Sequence, residues 1–330
     1  METYTKDCID ASKRLIDSYL FIGTSQFNND FSEYSPFYKG TNESISSYMP
    51  LIDMTDYHNA LAVLSSGDHA FNLIHSDIMD IDTFDSNKLT EYYALGIKRA
   101  MIMKYSYIEY LHVLIDIIYD ELSSEEEIEL IKGLLPYMES EHRKYWKGLL
   151  SYSSSVQNGI NKKLPLLKML SKPAFTNPIA LNSYLKSKED YDKLKGRIGN
   201  ANIRFTYCNA IDLASKMPGN YDVIMFSNIL DYFYMEYGYL WGYDKLKAYE
   251  EKTLPLLSEN GVAFLAYIYS YCKDPFFWRK IIMYSDICAF DINGEHENIM
   301  PFKGYDYNGE NQINSAMLVL RKKGKGERNG

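Results

Sequence analysis

Apolar positions along the chain alternate between two periods. Ile9, Leu15, Ile16, Tyr19 and Leu20 fall at helical spacing and predict a helix over 9–22, whereas 23–48 is rich in Asn, Ser, Phe and Tyr with no period and predicts a long ordered loop. A compact apolar run at 61–64 is broken by Ser65-Ser66-Gly67-Asp68 and followed by helix-like spacing over 70–74, which predicts strand, tight turn, helix. A second strand is predicted at 78–84, ending at Asp85-Ser86-Asn87, and a helix at 89–103 that Ser86 or Asn87 can cap. Further strands are predicted at 203–207, 221–226, 261–269 and 316–321, with helices at 243–257 and 276–285.

Strands alternating with helices predict an α/β fold, a Rossmann-like doubly wound and mostly parallel sheet. The second and third strands lie much further apart than the about 30 residues of a single crossover unit, so an insertion is implied. Its periodicity is helical, over 107–119, 125–150 and 180–195. The expected organisation is an N-terminal helix-and-loop cap at 1–58, a Rossmann-like domain at 59–104 and 201–322, a helical insertion at 105–200 and a disordered tail at 323–330.

Composition narrows the functional classes. With 330 residues, 46% hydrophobic and 24% charged, the chain has the proportions of a globular protein with a sizeable core. Lys plus Arg number 35 against 44 Asp plus Glu, a formal charge of −9, which excludes a nucleic-acid backbone as the expected partner because such affinity comes from neutralising phosphates. The one dense basic run, Arg321-Lys322-Lys323-Gly324-Lys325, reads as the start of a frayed tail. Cys8, Cys208, Cys272 and Cys288 lack metal-ligand spacing, nothing at the N-terminus reads as an export signal, and no window approaches about 18 apolar residues; a cytoplasmic protein without membrane insertion is expected. The 31 tyrosines are scattered and read as half-buried packing.

In an open parallel sheet, ligands bind beyond the carboxyl ends of the strands. Those ends offer Ser65, Ser66, Gly67 and Asp68; then Asp85 and Asn87; then Asn209 and Asp212; then Ser227, Asn228 and Asp231. A Gly after the first strand and a carboxylate about 20 residues from the turn suit a nucleoside-binding βαβ unit, the carboxylate accepting from ribose hydroxyls. A single Gly stands where a pyrophosphate cradle needs G-x-G-x-x-G, so a ligand without phosphates fits better. S-adenosylmethionine, composed of adenine, ribose and a charged amino acid, is such a ligand. The plainer reading is that Gly67 makes a turn and Asp85 caps a helix.

The stretch LAVLSSGDHAFNLI, with IDTFDSNKLTEYYALGIKRAMIMKYSYIEYL and YDVIMFSNILDYF, resembles the S-adenosylmethionine-dependent 3-amino-3-carboxypropyltransferases, the family that includes the first enzyme of betaine-lipid synthesis. More broadly it resembles the class I methyltransferase fold. The matched parts, 61–111 and 221–233, are about a fifth of the chain, and TNESISSYMP at 41–50 is similar to bacterial relatives of no assigned substrate. The resemblance implies that Gly67 and Asp68 lie against the methionine moiety, that Asp85 holds the ribose, that Asn209 and Asp212 stand near adenine, and that Ser66 and Asn87 are also among the cofactor-binding residues. It implies that Ser227, Asn228 and Asp231, with Tyr232, face the sulfonium and the incoming nucleophile. The Trp-Glu-Asp run of the lipid enzymes is absent, as is a cationic membrane-facing helix, which argues against diacylglycerol as acceptor. The expected function is transfer from S-adenosylmethionine to a small-molecule or lipid-like acceptor, with 3-amino-3-carboxypropyl transfer preferred; methyl transfer and non-catalytic binding of the same ligand are the alternatives.

Other constellations compete. Glu109, His112 and Asp116 share one face of an otherwise apolar segment and read either as a pocket lining or as a solvent face. Glu109-x-x-His112 and Glu139-x-x-His142 repeat the spacing of di-iron bundles, but the second pair lies in solvated sequence and two further glutamates are not evident, so no metal is expected. His69 reads as a base or as a helix-start residue, and Cys208 as a small core hydrophobe. Tyr232, Tyr234, Tyr237 and Tyr239 read as a cleft wall or as core.

Overall fold

The computed structural model describes residues 2–22, 33–160, 163–172, 176–227, 254–266, 299–305 and 312–321. The fold is α/β, a doubly wound, mostly parallel Rossmann-like sheet. Strands β1 (Asn59–Val63), β2 (Asp80–Asp85), β3 (Asn202–Tyr207), β4 (Tyr221–Phe226), β5 (Leu257–Ala266), β6 (Ile299–Tyr305) and β7 (Gln312–Arg321) form one sheet in the order β3-β2-β1-β4-β5-β7-β6. The pairs from β3 through β5 are parallel, while β7 runs antiparallel to both β5 and β6. The chain builds outward from β1 through β2 to β3 and then crosses back to β4, so the order reverses between β1 and β4. In such sheets that reversal opens the ligand crevice.

β1 is Asn-Ala-Leu-Ala-Val with Ala60, Leu61 and Ala62 fully buried, the apolar run of a strand covered on both faces. α2 (Asp68–His75) turns Ala70, Phe71, Leu73 and Ile74 inward, and α1 (Glu2–Ile22) joins the same core through Cys8, Leu15 and Ile16. α3 is unusual: a π-helical segment, Tyr92–Lys98, continues as regular α-helix over Arg99–Lys104. Trp146 packs against Gly96, where an added Cβ would stand 3.1 Å from the indole nitrogen, and that N–H donates to the Tyr92 carbonyl at 2.9 Å. A side-chain donor entering the helix ladder is a recognised cause of such local irregularity.

Between β2 and β3 the helices α4 (Tyr107–Ile118), α5 (Ser124–Leu134), α6 (Ser140–Ile160) and α7 (Lys188–Ile198) pack on the sheet layer, sharing its core through Tyr110, Leu134, Trp146 and Tyr191. The helix expected over 125–150 is two helices, because Pro136 sits in a 3₁₀ turn, Leu135–Tyr137, and cannot supply a mid-helix N–H. The helix expected over 180–195 is a short turn, Pro178–Leu181, a 3₁₀ turn, Ser183–Leu185, and then α7 capped by Ser187. Of the helix expected over 243–257 only the end is described, and Leu257 already belongs to β5. β6 was not anticipated; it is the outermost strand, an edge where Pro301 is tolerated. The helix expected at 276–285 and the tail at 323–330 lie outside the described residues. No helix among the described residues is long and apolar enough to cross a membrane.

Candidate functional site

The β1–α2 turn is tight and left-handed at two positions. Ser65 has φ 44° and Gly67 φ 87°, and the Gly67 N–H closes the turn on the Leu64 carbonyl at 2.7 Å. A Cβ on Gly67 would stand 3.0 Å from the Phe71 ring and 3.1 Å from the Ala94 Cβ, so both backbone conformation and space demand glycine. The turn is held to the end of β2: the Ser65 N–H donates to Asp85 Oδ2 at 3.0 Å and the Asn87 N–H to Asp85 Oδ1 at 2.9 Å. Asp85 is half-buried, and burial pushes its carboxyl up to about 6 against the pull of those amides and of Lys172. The Ser86 amide also favours the ionised form, and with about four lone-pair sites the carboxylate keeps acceptor capacity for a further donor.

Asn87 is committed to the fold. Its Oδ1 accepts from Leu89 N–H at 3.0 Å and Ser35 N–H at 3.3 Å, and its Nδ2 donates to the Ser35 carbonyl at 2.9 Å. It thus caps the approach to α3 and pins the N-terminal segment to the strand ends. Asn209 and Asp212 are exposed just past β3, joined by Asp212 N–H to the Asn209 carbonyl at 2.9 Å. Ser227 is half-buried at the end of β4. Ser65, Asp85, Asn209, Asp212 and Ser227 therefore stand on the carboxyl edge of the parallel strands. Asn228, Asp231, Tyr232, Tyr234, Tyr237 and Tyr239 lie outside the described residues.

Asp68 is 1% exposed, and both its oxygens are fully engaged. Oδ1 accepts from Lys98 Nζ and from the Tyr184 hydroxyl, each at 2.7 Å, and Oδ2 from Ser66 Oγ at 2.6 Å and Thr41 N–H at 2.9 Å. Burial pushes its carboxyl up, but the Lys98 ammonium and the two hydroxyls outweigh it and hold the group below the usual range. Four donors saturate a carboxylate. Asp68 and Ser66 thus tie together the N-terminal segment, the β1 turn, the π-helical segment and the insertion, and the Asp68 carboxylate has no acceptor position left for a ligand.

Next to this hub lies a cluster that sequence reasoning missed. Glu43, from the N-terminal segment, is buried; its Oε2 lies 3.2 Å from the Tyr48 hydroxyl and 3.2 Å from His69 Nε2, and its Oε1 accepts from Ser227 Oγ. The nearest signal was the segment TNESISSYMP, whose likeness to other sequences carried no chemistry by itself. His69 is 2% exposed, and its Nδ1 is buried with no hydrogen-bond partner.

The rival constellations dissolve. Glu109 is exposed and closes a capping box with Ser106, and His112 is exposed, so this part of the stripe on α4 is a helix start and an outer face, while Asp116 is half-buried. Exposed Glu139 pairs with the buried Arg99, whereas His142 is buried edge-on to Tyr92 with centroids 5.8 Å apart. No group of three or more His, Cys, Asp or Glu side chains among the described residues is placed to hold a metal. Cys208 is buried and burial pushes its thiol up, the behaviour of a core residue.

No family model matches the chain, and no curated protein matches it. Among solved structures, it is similar to an S-adenosylmethionine-dependent methyltransferase from Methanosarcina mazei, with 9% identity, a TM-score of 0.35, and coverage of 83% of this chain and 96% of that one. It is also similar to a structure from work on the conversion of a disulfide bond into a thioacetal group during echinomycin biosynthesis, with 10% identity, a TM-score of 0.33, and coverage of 89% and 87%.

Proposed function

We propose that the chain is an S-adenosylmethionine-dependent transferase that moves the 3-amino-3-carboxypropyl group to a small-molecule or lipid-like acceptor. The observation that carries the cofactor is Asp85: a half-buried carboxylate at the end of β2, fixed by two backbone amides and retaining acceptor capacity beside the left-handed turn at Gly67. A ribose presents two adjacent hydroxyls, which two oriented carboxylate oxygens suit. The glycine-poor turn favours a nucleoside without phosphates. Asn209 and Asp212 supply polar groups on the adenine side, and Ser227 on the sulfonium side. Asp68 and Asn87 act here as positioning residues, since their polar atoms are used within the fold.

Bound S-adenosylmethionine supplies a sulfonium leaving group: attack at the methionine Cγ releases 5′-methylthioadenosine, and attack at the methyl carbon releases S-adenosylhomocysteine. The protein's part in either displacement is in-line positioning. The choice of Cγ rests on the family resemblance of the strand ends, with Asn228, Asp231 and Tyr232 assigned to orient the acceptor and take its proton. Incubating the protein with S-adenosylmethionine and cell extract, then separating the nucleosides, tests it. Accumulating 5′-methylthioadenosine is expected. S-adenosylhomocysteine alone replaces the reaction by methyl transfer, and neither product from a range of extracts favours a binding protein.

A further inference from the structure

The amino-acid end of the proposed ligand carries an ammonium group, so the site needs an acceptor near the ends of β1 and β4. Asp68, the carboxylate that the sequence puts forward, is saturated and charge-paired with Lys98. His69 is the next residue in the chain. It sits in the first turn of α2 and reaches Ser227, at the end of β4, through Glu43. A carboxylate only accepts, so in the neutral imidazole the ring proton lies on Nε2, toward Glu43 Oε2, which leaves Nδ1 as an acceptor. That Nδ1 is buried and has no donor. An unsatisfied buried acceptor carries a desolvation cost that a ligand's N–H removes.

We propose that His69 Nδ1 receives the ammonium of the amino-acid end of S-adenosylmethionine or S-adenosylhomocysteine, with Glu43 as the positioning residue that fixes the tautomer. The inference rests on the cofactor reading above. It gives the Glu43–His69–Ser227 cluster a binding role distinct from the ribose contact of Asp85. A nucleoside lacking the amino acid is indifferent to it.

The test compares calorimetric affinities for S-adenosylhomocysteine and for 5′-methylthioadenosine, which ends in a methyl group. His69→Gln keeps an amide at the reach of Nε2 and places nothing at Nδ1, whereas His69→Asn keeps a polar atom at the reach of Nδ1. The glutamine variant is expected to lose about tenfold or more in affinity for S-adenosylhomocysteine, and the asparagine variant less than about threefold. Both should bind 5′-methylthioadenosine as the wild type does, which also shows that they fold. In the wild-type protein the ¹⁵N resonance of His69 Nδ1 should move on adding S-adenosylhomocysteine and stay still with 5′-methylthioadenosine, a readout independent of any variant. Equal loss of both ligands, no loss of either, or an unmoved resonance overturns the inference while the cofactor reading stands. Wild-type protein that binds neither nucleoside overturns both.

Discussion

Asp85 joins the fold at the strand ends and is the proposed ligand contact. Its two oxygens join the β1 turn to the start of α3, and burial raises its carboxyl from 3.8 to about 6. The raised value fixes a sign. The folded state holds the proton more tightly than the unfolded chain, so this group's contribution to stability is present at low pH and is lost as pH rises from about 4 through about 6. Wild-type stability in urea denaturation should therefore carry a falling component between about pH 4 and about pH 6 that Asp85→Asn removes, although the asparagine leaves one of the two amides facing a donor; a pH dependence unchanged by the substitution would remove the electrostatic account. Ligand affinity runs the other way: accepting two hydroxyls favours the ionised form, so wild-type binding of S-adenosylhomocysteine should weaken as pH falls through about 6. The position of Asp85 at the end of a strand, about 20 residues past the first turn, was visible in the sequence because strand period and turn chemistry are local. The use of Asp68 and Asn87 inside the fold was not, because their partners Lys98, Tyr184 and Ser35 come from distant segments.

Among the elements, the N-terminal segment and α3 do the joining. Thr41 and Lys98 reach Asp68, Ser35 reaches Asn87, the Tyr93 hydroxyl donates to the Lys39 carbonyl at 2.8 Å, and Phe37 bridges to Ser171. The Asp68–Lys98 pair is almost wholly buried, and removing one partner leaves a charge uncompensated in the interior. Lys98→Met should cost about 3–5 kcal/mol in chemical denaturation, and the double variant Lys98→Met with Asp68→Asn should recover part of that loss. Additive losses would mean that the pair is not coupled as described. Most strands were legible from their apolar runs, and α2 from its spacing. The π-helical segment was not, because Trp146 imposes it from another helix. The stripe on α4 was legible as a pattern but not as a role: capping by Ser106 decides that Glu109 faces water.

Across the whole molecule the insertion and α1 bury further carboxylates. Burial pushes Glu91 up to about 8, with Glu139 and Glu141 adding to the effect, and pushes Glu127 up to about 7 against two backbone amides from Leu167 and Lys168. Both values lie above the ordinary 4.5, so both groups favour the folded state while protonated, and their contribution is lost as pH rises from about 5 through about 8. Burial pushes His142 down to about 4, which adds stability as pH rises to about 6.5, so it is between about pH 6.5 and 8 that thermal midpoints should decline and Glu91→Gln should flatten the decline; a wild-type midpoint that climbs from about pH 6.5 toward pH 8 would contradict these burials. The parallel order and the reversal between β1 and β4 place Asp85, Asn209, Asp212 and Ser227 on one edge, the arrangement from which a nucleoside site is argued. Calorimetric titration of S-adenosylhomocysteine into wild-type protein and Asp85→Ala at pH 7.5 tests that claim most directly. The hydroxyl bonds to a charged acceptor are worth about 1.5–3 kcal/mol each, so the wild type should bind and the variant should lose at least about tenfold. Equal affinity in the two proteins, or binding of NAD with no response to S-adenosylhomocysteine, would contradict it.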